Sequence, residues 1–202
     1  MAPLATRRAT SSSSSAGIDT ATRILDATLA AMADHGIVRL SLEDVAKRAQ
    51  LSRQTVYRYF PSKGDLLQAT VLREEEAFLA NMTNAAERQR ELEPALRAAI
   101  EAALRTGQDH VVLNRLLATE PSSLVALVTG DSGPVLSAAR QAIEKILAGR
   151  LPKAPKVRLT MATDAVARLL VSYVVNPPAD PPAQVATRLA QLLVHGLQRA
   201  TK

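Results

Sequence analysis

The sequence predicts an all-α protein with a small N-terminal helical domain and a larger C-terminal helical domain. Apolar residues recur at helical spacing along most of the 202-residue chain. Aromatic residues make up only 2% and Trp is absent, so the core must consist of Ala, Leu, Val and Ile, which favours closely packed helices. Cys is absent as well, which excludes disulfide scaffolds, zinc–thiolate sites, iron–sulfur sites and thiol catalysis.

Residues 1–17 are expected to form a disordered, Ser-rich arm. The Ser run over residues 11–15 cannot bury enough apolar area to offset the entropy lost on ordering. The arm also lacks the apolar stretch of a secretory signal, and no apolar run reaches the ~18–20 residues that cross a bilayer. We therefore expect a cytoplasmic protein with no membrane partner.

Residues 18–72 are expected to form a three-helix domain, whose helix boundaries follow from capping residues. The first helix should end at Gly36, because a residue without a Cβ suits the left-handed conformation of a helix C cap. Ser41 is placed to cap the second helix and Ser52 to cap the third. Pro61 ends the third helix, since proline cannot donate the next helical hydrogen bond.

The second and third helices are predicted to form a helix–turn–helix, because a turn of three or four residues joins them and the third is polar and basic. Residues 47–63 contain five basic residues and no acidic residue. Three of the chain's five aromatic residues, Tyr57, Tyr59 and Phe60, lie in the same stretch. This combination is typical of a nucleic-acid surface, although a solvated helix face is the alternative on charge alone.

Residues 23–67 resemble the TetR family of bacterial transcriptional regulators. The specific pattern is Tyr-x-x-Phe followed by x-x-Lys-x-x-Leu, which is matched here by Tyr57, Phe60, Lys63 and Leu66. The resemblance implies an N-terminal helix–turn–helix DNA-binding domain followed by a helical ligand-binding and dimerisation domain. Its DNA partner would be a double-stranded palindromic operator, read by a homodimer.

The resemblance also implies roles for single residues of the helix–turn–helix. Family members touch base edges or thymine methyl groups at the positions held here by Arg53, Gln54 and Tyr57. Phosphate contacts are usual at the positions held by Ser41, Thr55, Tyr59 and Lys63. Arg58 could contact either a base or a phosphate, and we assign it to the phosphate contacts. A structural role is the alternative for Ser41, as a helix cap, and for Tyr59, as a core residue.

The turn of the helix–turn–helix departs from the family pattern. Ala-Gly-Val-Ser is common there, whereas this chain has Ala49-Gln50-Leu51-Ser52. A left-handed conformation at Gln50 would cost about 1–2 kcal/mol relative to an allowed geometry. We predict a positive φ at Gln50, or a compensating shift of the turn.

Residues 73–202 carry no pattern that indicates catalysis. The three His residues lie far apart, no nucleophile–base pair or metal-ligand cluster is evident, and the acidic run over residues 74–76 is most simply solvated or helix-facing. We therefore expect no enzymatic activity, no cofactor and no metal. Helices are expected along the whole segment, including one over residues 122–129.

The last two predicted helices are apolar on one wide face. The resemblance implies that they pair with their symmetry mates as a four-helix dimer interface. An ordinary intramolecular core is the alternative, and the sequence alone does not distinguish between the two. The residues of this face are Val166, Leu169, Leu170, Val185, Leu189, Leu192, Leu193 and Leu197.

Polar residues on otherwise apolar helices are the candidates for an effector pocket, since ligand sites combine apolar walls with a few polar groups. These candidates are His110, Asn114 and Tyr173, each of which has an ordinary core or surface role as its alternative. The scarcity of charge around residues 96–104 and 111–117 favours an apolar ligand.

The sequence therefore predicts a dimeric, sequence-specific DNA-binding regulator, a repressor released by an unidentified small apolar effector. The first alternative is an effector-independent architectural or interaction protein. The second is an enzyme with an appended DNA-binding domain, which would require a catalytic constellation that the sequence does not present.

Overall fold

A computed structural model describes residues 10–122 and 134–199, and over these residues the chain is all-α with no strand, as predicted. The chain divides into two compact units, residues 1–72 and 73–202. The expected helix over residues 122–129 lies outside the described residues, apart from residue 122. The helices are α1 Thr10–His35, α2 Leu42–Arg48, α3 Arg53–Tyr59, α4 Lys63–Glu87, α5 Leu92–Asp109, α6 Val111–Thr119, α7 Pro134–Ala148, α8 Lys156–Val175 and α9 Pro182–Arg199.

The N-terminal part of α1 differs from the expected disordered arm. Because α1 begins at Thr10, residues 10–17 are helical. Adding residues to an existing helix avoids the cost of nucleating a new one, and the composition of the Ser run does not capture that gain. Residues 1–9 of the expected arm lie outside the described residues.

Caps define the helix boundaries of the first unit. The backbone N–H groups of Asp44, Thr55 and Asp65 each donate to the Ser hydroxyl three residues earlier, at 3.1 Å, at the start of α2, α3 and α4. Gly36 follows the end of α1 with φ 78°, as predicted for a left-handed cap. The apolar side chains beneath these helices are fully or almost fully buried: Ile24, Met32, Leu40, Val45, Val56 and Leu66.

In the second unit α5 occupies the centre, because it contacts α6, α7, α8 and α9. Its residues Leu96, Ile100 and Leu104 lie one turn apart on one face, and all three are buried. The approach of α8 is close at Gly107, where an added Cβ would lie 2.9 Å from Cγ1 of Val174. Glycine at position 107 therefore permits this helix pair to pack.

Two arginine side chains, Arg140 in α7 and Arg150 just after its end, bind neighbouring segments of the chain. Nη2 of Arg150 donates to the carbonyl oxygens of Ala86 at 2.7 Å and Gln89 at 2.6 Å, which satisfies carbonyl groups at the C-terminal end of α4. Nε of Arg140 donates to Asp164 of α8 at 2.7 Å. Hydrogen bonds from Arg168 and from Arg140 lower the pKa of the Asp164 carboxyl.

No helix in the described part of the chain has the length and apolarity needed to span a membrane.

Candidate nucleic-acid interface

The turn between α2 and α3 is a Schellman motif. The N–H of Leu51 donates to the carbonyl of Ala46 at 2.9 Å, and the N–H of Gln50 donates to that of Lys47 at 3.2 Å. Gln50 has φ 54°, so the predicted positive φ is confirmed. This residue occupies the position where Gly is usual, and its left-handed backbone redirects the chain from α2 into α3.

A side chain of α1 fixes the same turn. Nη2 of Arg23 donates to the carbonyl oxygen of Ala49 at 2.8 Å. Ala49 is the C-terminal cap of α2, so its carbonyl has no partner within that helix. The angle at which α3 leaves the turn is thus supported by two backbone hydrogen bonds and one from a guanidinium group.

The helix α3 is anchored by one fully buried residue, Val56. Its N-terminal end is held by Ser52, whose hydroxyl oxygen lies 2.8 Å from that of Thr55. Its C-terminal end is marked by Phe60, which takes an extended conformation before Pro61. With Val56 pointing into the core, most of the remaining surface of this short helix is exposed.

The three residues predicted to contact bases all lie on the exposed side of α3. Arg53, Gln54 and Tyr57 are each exposed, and Tyr57 retains 53% of its accessible surface although it is a large apolar side chain. Adjacent residues on a helix differ by about 100° in direction, so positions 54 and 57 point away from Val56 and position 53 lies on the flank. The side chains are therefore available to a partner, and their contacts with bases remain a prediction.

Two of the predicted phosphate contacts have intramolecular partners at helix starts. The hydroxyl of Ser41 accepts from the N–H of Asp44 and donates to its carboxylate at 2.5 Å, so Ser41 has the structural role weighed as its alternative. Nζ of Lys63 donates to the carbonyl of Val38 at 2.9 Å. Ser41 is therefore held at the start of α2, and Lys63 ties the start of α4 to the segment before α2.

The other predicted phosphate contacts lie on α3 itself. Thr55 and Tyr59 are half-buried, and Arg58 is exposed. The guanidinium carbon of Arg58 lies 5.6 Å from the centroid of the Tyr59 ring, within the range of a cation–π interaction. Tyr59 thus contributes both to the edge of the core and to the surface.

Ion pairs reduce the positive charge that the sequence suggests for residues 47–63. Nη2 of Arg48 lies 2.5 Å from the carboxylate of Asp34 in α1. Arg53 forms an ion pair with Glu43, which is in the first turn of α2. Glu43 is not among the residues predicted from the sequence, since no periodicity connects residues ten positions apart in different helices.

The effector candidates His110 and Asn114 have structural partners at the junction of α5 and α6. Nδ1 of His110 accepts from the N–H of Leu113 at 3.2 Å and caps α6, while Nε2 lies 3.5 Å from the carboxylate of Glu74. The amide of Asn114 donates to the carbonyl of Gln108 at 2.6 Å. The contacts of His110 and Asn114 are those of helix ends, and a ligand role for them remains a prediction.

Tyr173, the remaining effector candidate, is half-buried against the apolar core of the second unit.

Glu75 was not singled out as a candidate, yet it is half-buried and its Oε2 atom has no hydrogen-bond partner. Burial raises the pKa of the Glu75 carboxyl, and the charge of Glu76 raises it further. Thr163 is also buried, and its hydroxyl lacks a partner. The acidic run is therefore partly buried, which its composition did not indicate.

The predicted dimer face of α8 and α9 is largely intramolecular core. Four of its residues are buried within one chain, which is the alternative given for this face, and their contact with a partner chain remains a prediction: Val166, Leu170, Val185 and Leu189. Leu193 is half-buried against the same core, and the side chain of Leu197 lies outside the described residues. Leu169 and Leu192 are exposed. A wide apolar face covers the core of its own chain first, so apolarity alone does not identify an interface.

Family comparisons agree with this architecture over both units. Residues 24–70 match the family model described as bacterial regulatory proteins, tetR family. Residues 91–195, more than half of the chain, match the model described as bacterial tetracyclin repressor, C-terminal domain.

Individual proteins resemble the chain over most of its length or over a part of it. The HTH-type transcriptional regulator AlkX of Mycobacterium tuberculosis is 27% identical over 180 residues, covering 86% of this chain and 85% of AlkX. The HTH-type transcriptional repressor KstR of Rhodococcus jostii is 48% identical over 54 residues, 27% of this chain and 26% of KstR. The crystal structure of the TetR family repressor AlkX from a Dietzia species superposes with a TM-score of 0.69 and 27% identity, covering 89% of this chain and 95% of that one. The chain therefore belongs to the TetR family and is a helix–turn–helix DNA-binding regulator of transcription.

Proposed function

We propose that the protein is a homodimeric repressor that reads a palindromic operator and releases it when a small apolar ligand binds. The exposed side of α3 carries this proposal. Arg53 and Gln54 supply the side chains that pair with guanine O6/N7 and adenine N6/N7 in the major groove, and Tyr57 supplies a ring for a thymine methyl group. The single buried anchor, Val56, leaves these groups available together.

Phosphate contacts would set the register of α3 on the duplex. Arg58 is exposed on α3, and Tyr59 and Thr55 flank it. Ser41 and Lys63 stand at the first turns of α2 and α4, on either side of α3 in the chain. Hydroxyl and ammonium groups at such positions bind phosphate oxygens on any sequence and leave discrimination to the base contacts.

Exposed apolar side chains on α8 and α9 support self-association. Val157, Met161 and Leu169 are exposed on α8, with spacings of four and eight residues that place them on one face. Leu192 is exposed on α9. A twofold dimer would place two α3 helices one DNA turn apart, at ~34–36 Å, and this geometry matches a palindrome.

An apolar effector is supported by the apolar second unit and by one relative. The buried apolar side chains around α5 are those of Ala, Leu, Ile, Val and one Met, Met82. The Dietzia repressor AlkX is implicated in biodegradation of n-alkanes. We propose that an apolar ligand of this kind binds between the helices of the second unit, where His110, Asn114 and Tyr173 are candidates for contact. If the ligand binds more tightly to a dimer whose two α3 helices are spaced differently from one DNA turn, its binding lowers the affinity of the protein for DNA.

The first experiment is selection of genomic fragments on the purified protein at fixed salt, followed by titration of the selected duplex with n-alkanes of increasing length. We expect one inverted repeat, released by alkanes in a length-dependent way. Retention of fragments with no common sequence would instead favour the architectural alternative. If an inverted repeat is recovered but no apolar compound releases the protein from it, the operator assignment stands and the apolar class of effector is refuted.

Variants of Lys63 and Gln54 separate positioning from base reading on the selected operator. Lys63→Ala should weaken binding to all duplexes and reduce the salt slope by about one unit, because one phosphate contact is lost. Gln54→Ala should weaken the free energy of operator binding by ~1–3 kcal/mol through particular base pairs, and the preference at the other base pairs should stay unchanged. Electrophoretic titrations over several salt concentrations measure both. Unchanged operator affinity in the two variants would refute the placement of α3 on DNA.

A further inference from the structure

The turn between α1 and α2 carries an arginine, Arg39, at its outer edge. The N–H of Leu40 donates to the carbonyl oxygen of Ile37 at 3.3 Å, so Val38 and Arg39 are the two central residues of a four-residue turn. Leu40 is buried, whereas Val38 and Arg39 are both exposed. The buried leucine therefore holds the backbone of this turn in place, and the turn presents a cation to solvent.

A second cation is bound to the same turn from α4. Nζ of Lys63 donates to the carbonyl oxygen of Val38, the residue before Arg39, at 2.9 Å. An ammonium group has three N–H donors, so two donors of Lys63 remain for another acceptor. The structure thus brings the ammonium group of Lys63 to the backbone beside Arg39, although the two residues are far apart in the sequence.

The charge of Arg39 has no partner within the chain. Among the residues that the structure describes, the Arg39 side chain makes no hydrogen bond and no ion pair. Three other arginines of the first unit each bind an oxygen of the same unit: Arg23 the carbonyl of Ala49, Arg48 the carboxylate of Asp34, and Arg53 the carboxylate of Glu43. Contacts of the folded unit therefore account for these three guanidinium groups and do not account for that of Arg39.

The carboxylates at the starts of α2 and α4 do not neutralise Arg39 either. Asp44 accepts a hydrogen bond from the hydroxyl of Ser41, and Asp65 accepts one from that of Ser62 at 2.7 Å. Both acids thus complete helix caps. The turn and the start of α4 together present a surface on which the charge of Arg39 is left for an anion from outside the chain.

We infer that Arg39 is a further contact to the DNA backbone, which binds phosphate oxygens beside Lys63. The inference rests on the proposed docking, in which Lys63 and Ser41 contact phosphates. Ser41 follows Arg39 by only two residues, so a strand that reaches Ser41 and Lys63 passes the turn. A guanidinium group can bind a phosphate through two parallel N–H bonds. Neither the basic stretch over residues 47–63 nor the family resemblance marks position 39.

The test compares Arg39→Gln with the wild-type protein on the selected operator and on a non-operator duplex, at several salt concentrations. Both affinities should fall about 5–10-fold per protomer at ~0.1 M salt, and the salt slope should become less steep by about 0.9 per protomer. The ratio of the two affinities should stay unchanged, because phosphate contacts carry no sequence information. An unchanged affinity and slope would overturn the inference, and so would a changed ratio, which indicates a base contact.

Lys47→Gln is the matched control, since it removes the same charge from the same unit. Lys47 is exposed, has no ion pair in the described part of the chain, and lies in the last turn of α2, at the opposite end of this helix from Ser41. Its loss should lower both affinities less than twofold and leave the salt slope unchanged, because no phosphate contact is removed. A loss as large as that of Arg39→Gln would assign the effect to net charge and would overturn the inference.

Arg39→Lys and Lys63→Ala complete the set of variants. Arg39→Lys should keep most of the affinity and the salt slope, because an ammonium group also binds phosphate. If it loses as much as Arg39→Gln, the charge is not what acts, and the inference is wrong. If Lys63→Ala weakens all binding while Arg39→Gln does not, only the inference fails. If Lys63→Ala and Gln54→Ala both leave operator affinity unchanged, the proposed docking itself fails.

Discussion

The sequence pattern of the short helix α3 predicts which of its residues are exposed, whereas the pattern of the long helices α8 and α9 does not. In α3 the seven residues contain one buried side chain, Val56, so the exposed set is determined almost completely by helix geometry. In α8 and α9 a wide apolar face is divided between the core of the chain and exposed positions. Polar residues around one buried anchor identify an exposed surface. A broad apolar stripe indicates that residues are buried, but not whether they are buried in the core of the chain or against another chain.

The largest expected effect comes from a pair of Leu→Ala variants on the predicted dimer face. Leu170 is 5% exposed and Leu192 is 67% exposed. Leu170→Ala should lower the free energy of unfolding by about 2–5 kcal/mol, because it opens a cavity in the core. Leu192→Ala should leave the free energy of unfolding of the subunit almost unchanged and weaken self-association.

Urea unfolding at several protein concentrations and sedimentation equilibrium measure these two effects separately, since association makes apparent stability depend on concentration. Equal losses of stability in both variants, with no change in association, would mean that Leu192 also belongs to the core. The division of this face into a core part and a surface part would then be wrong.

A second pair, at glycines of the second unit, tests how tightly its helices are packed. Gly107→Ala should cost about 1–3 kcal/mol, because the added Cβ would lie 2.9 Å from Cγ1 of Val174 and force α5 and α8 apart. Gly196→Ala is the matched control, since an added Cβ there meets no atom within 4 Å. It should stabilise α9 by about 0.5–1 kcal/mol through helix propensity. Thermal unfolding of both variants checks the sign, and stabilisation by Gly107→Ala would contradict the close approach.

The smallest effect is expected in the turn of the helix–turn–helix. Gln50→Gly should stabilise the protein by about 1 kcal/mol, because Gly adopts the left-handed conformation without the steric cost paid by Gln. Gln50→Ala, which keeps a Cβ, should give no such gain. Chemical denaturation measures both, and equal effects of Gly and Ala would show that φ at position 50 carries no strain.

Much of the first unit could be predicted from residues close together in the chain. Ser41, Ser52 and Gly36 act within one helical turn of their own positions, and Gln50 adopts the left-handed conformation that its place in the turn predicts. The exposed set of α3 follows for the same reason. In the second unit, the extent of the helices was largely predictable, whereas the roles of their apolar faces were not.

The sequence by itself determined the all-α class, the helix–turn–helix and its capping residues, because hydrogen bonds over three to five positions depend only on local residue types. Only the tertiary structure decided which distant side chains meet. Glu43 reaches Arg53, Arg23 reaches the carbonyl of Ala49, and His110 approaches Glu74, because of the angles at which whole helices cross. It also decided that Leu170 is core and Leu192 is surface, since burial is a property of neighbouring helices as much as of the residue itself.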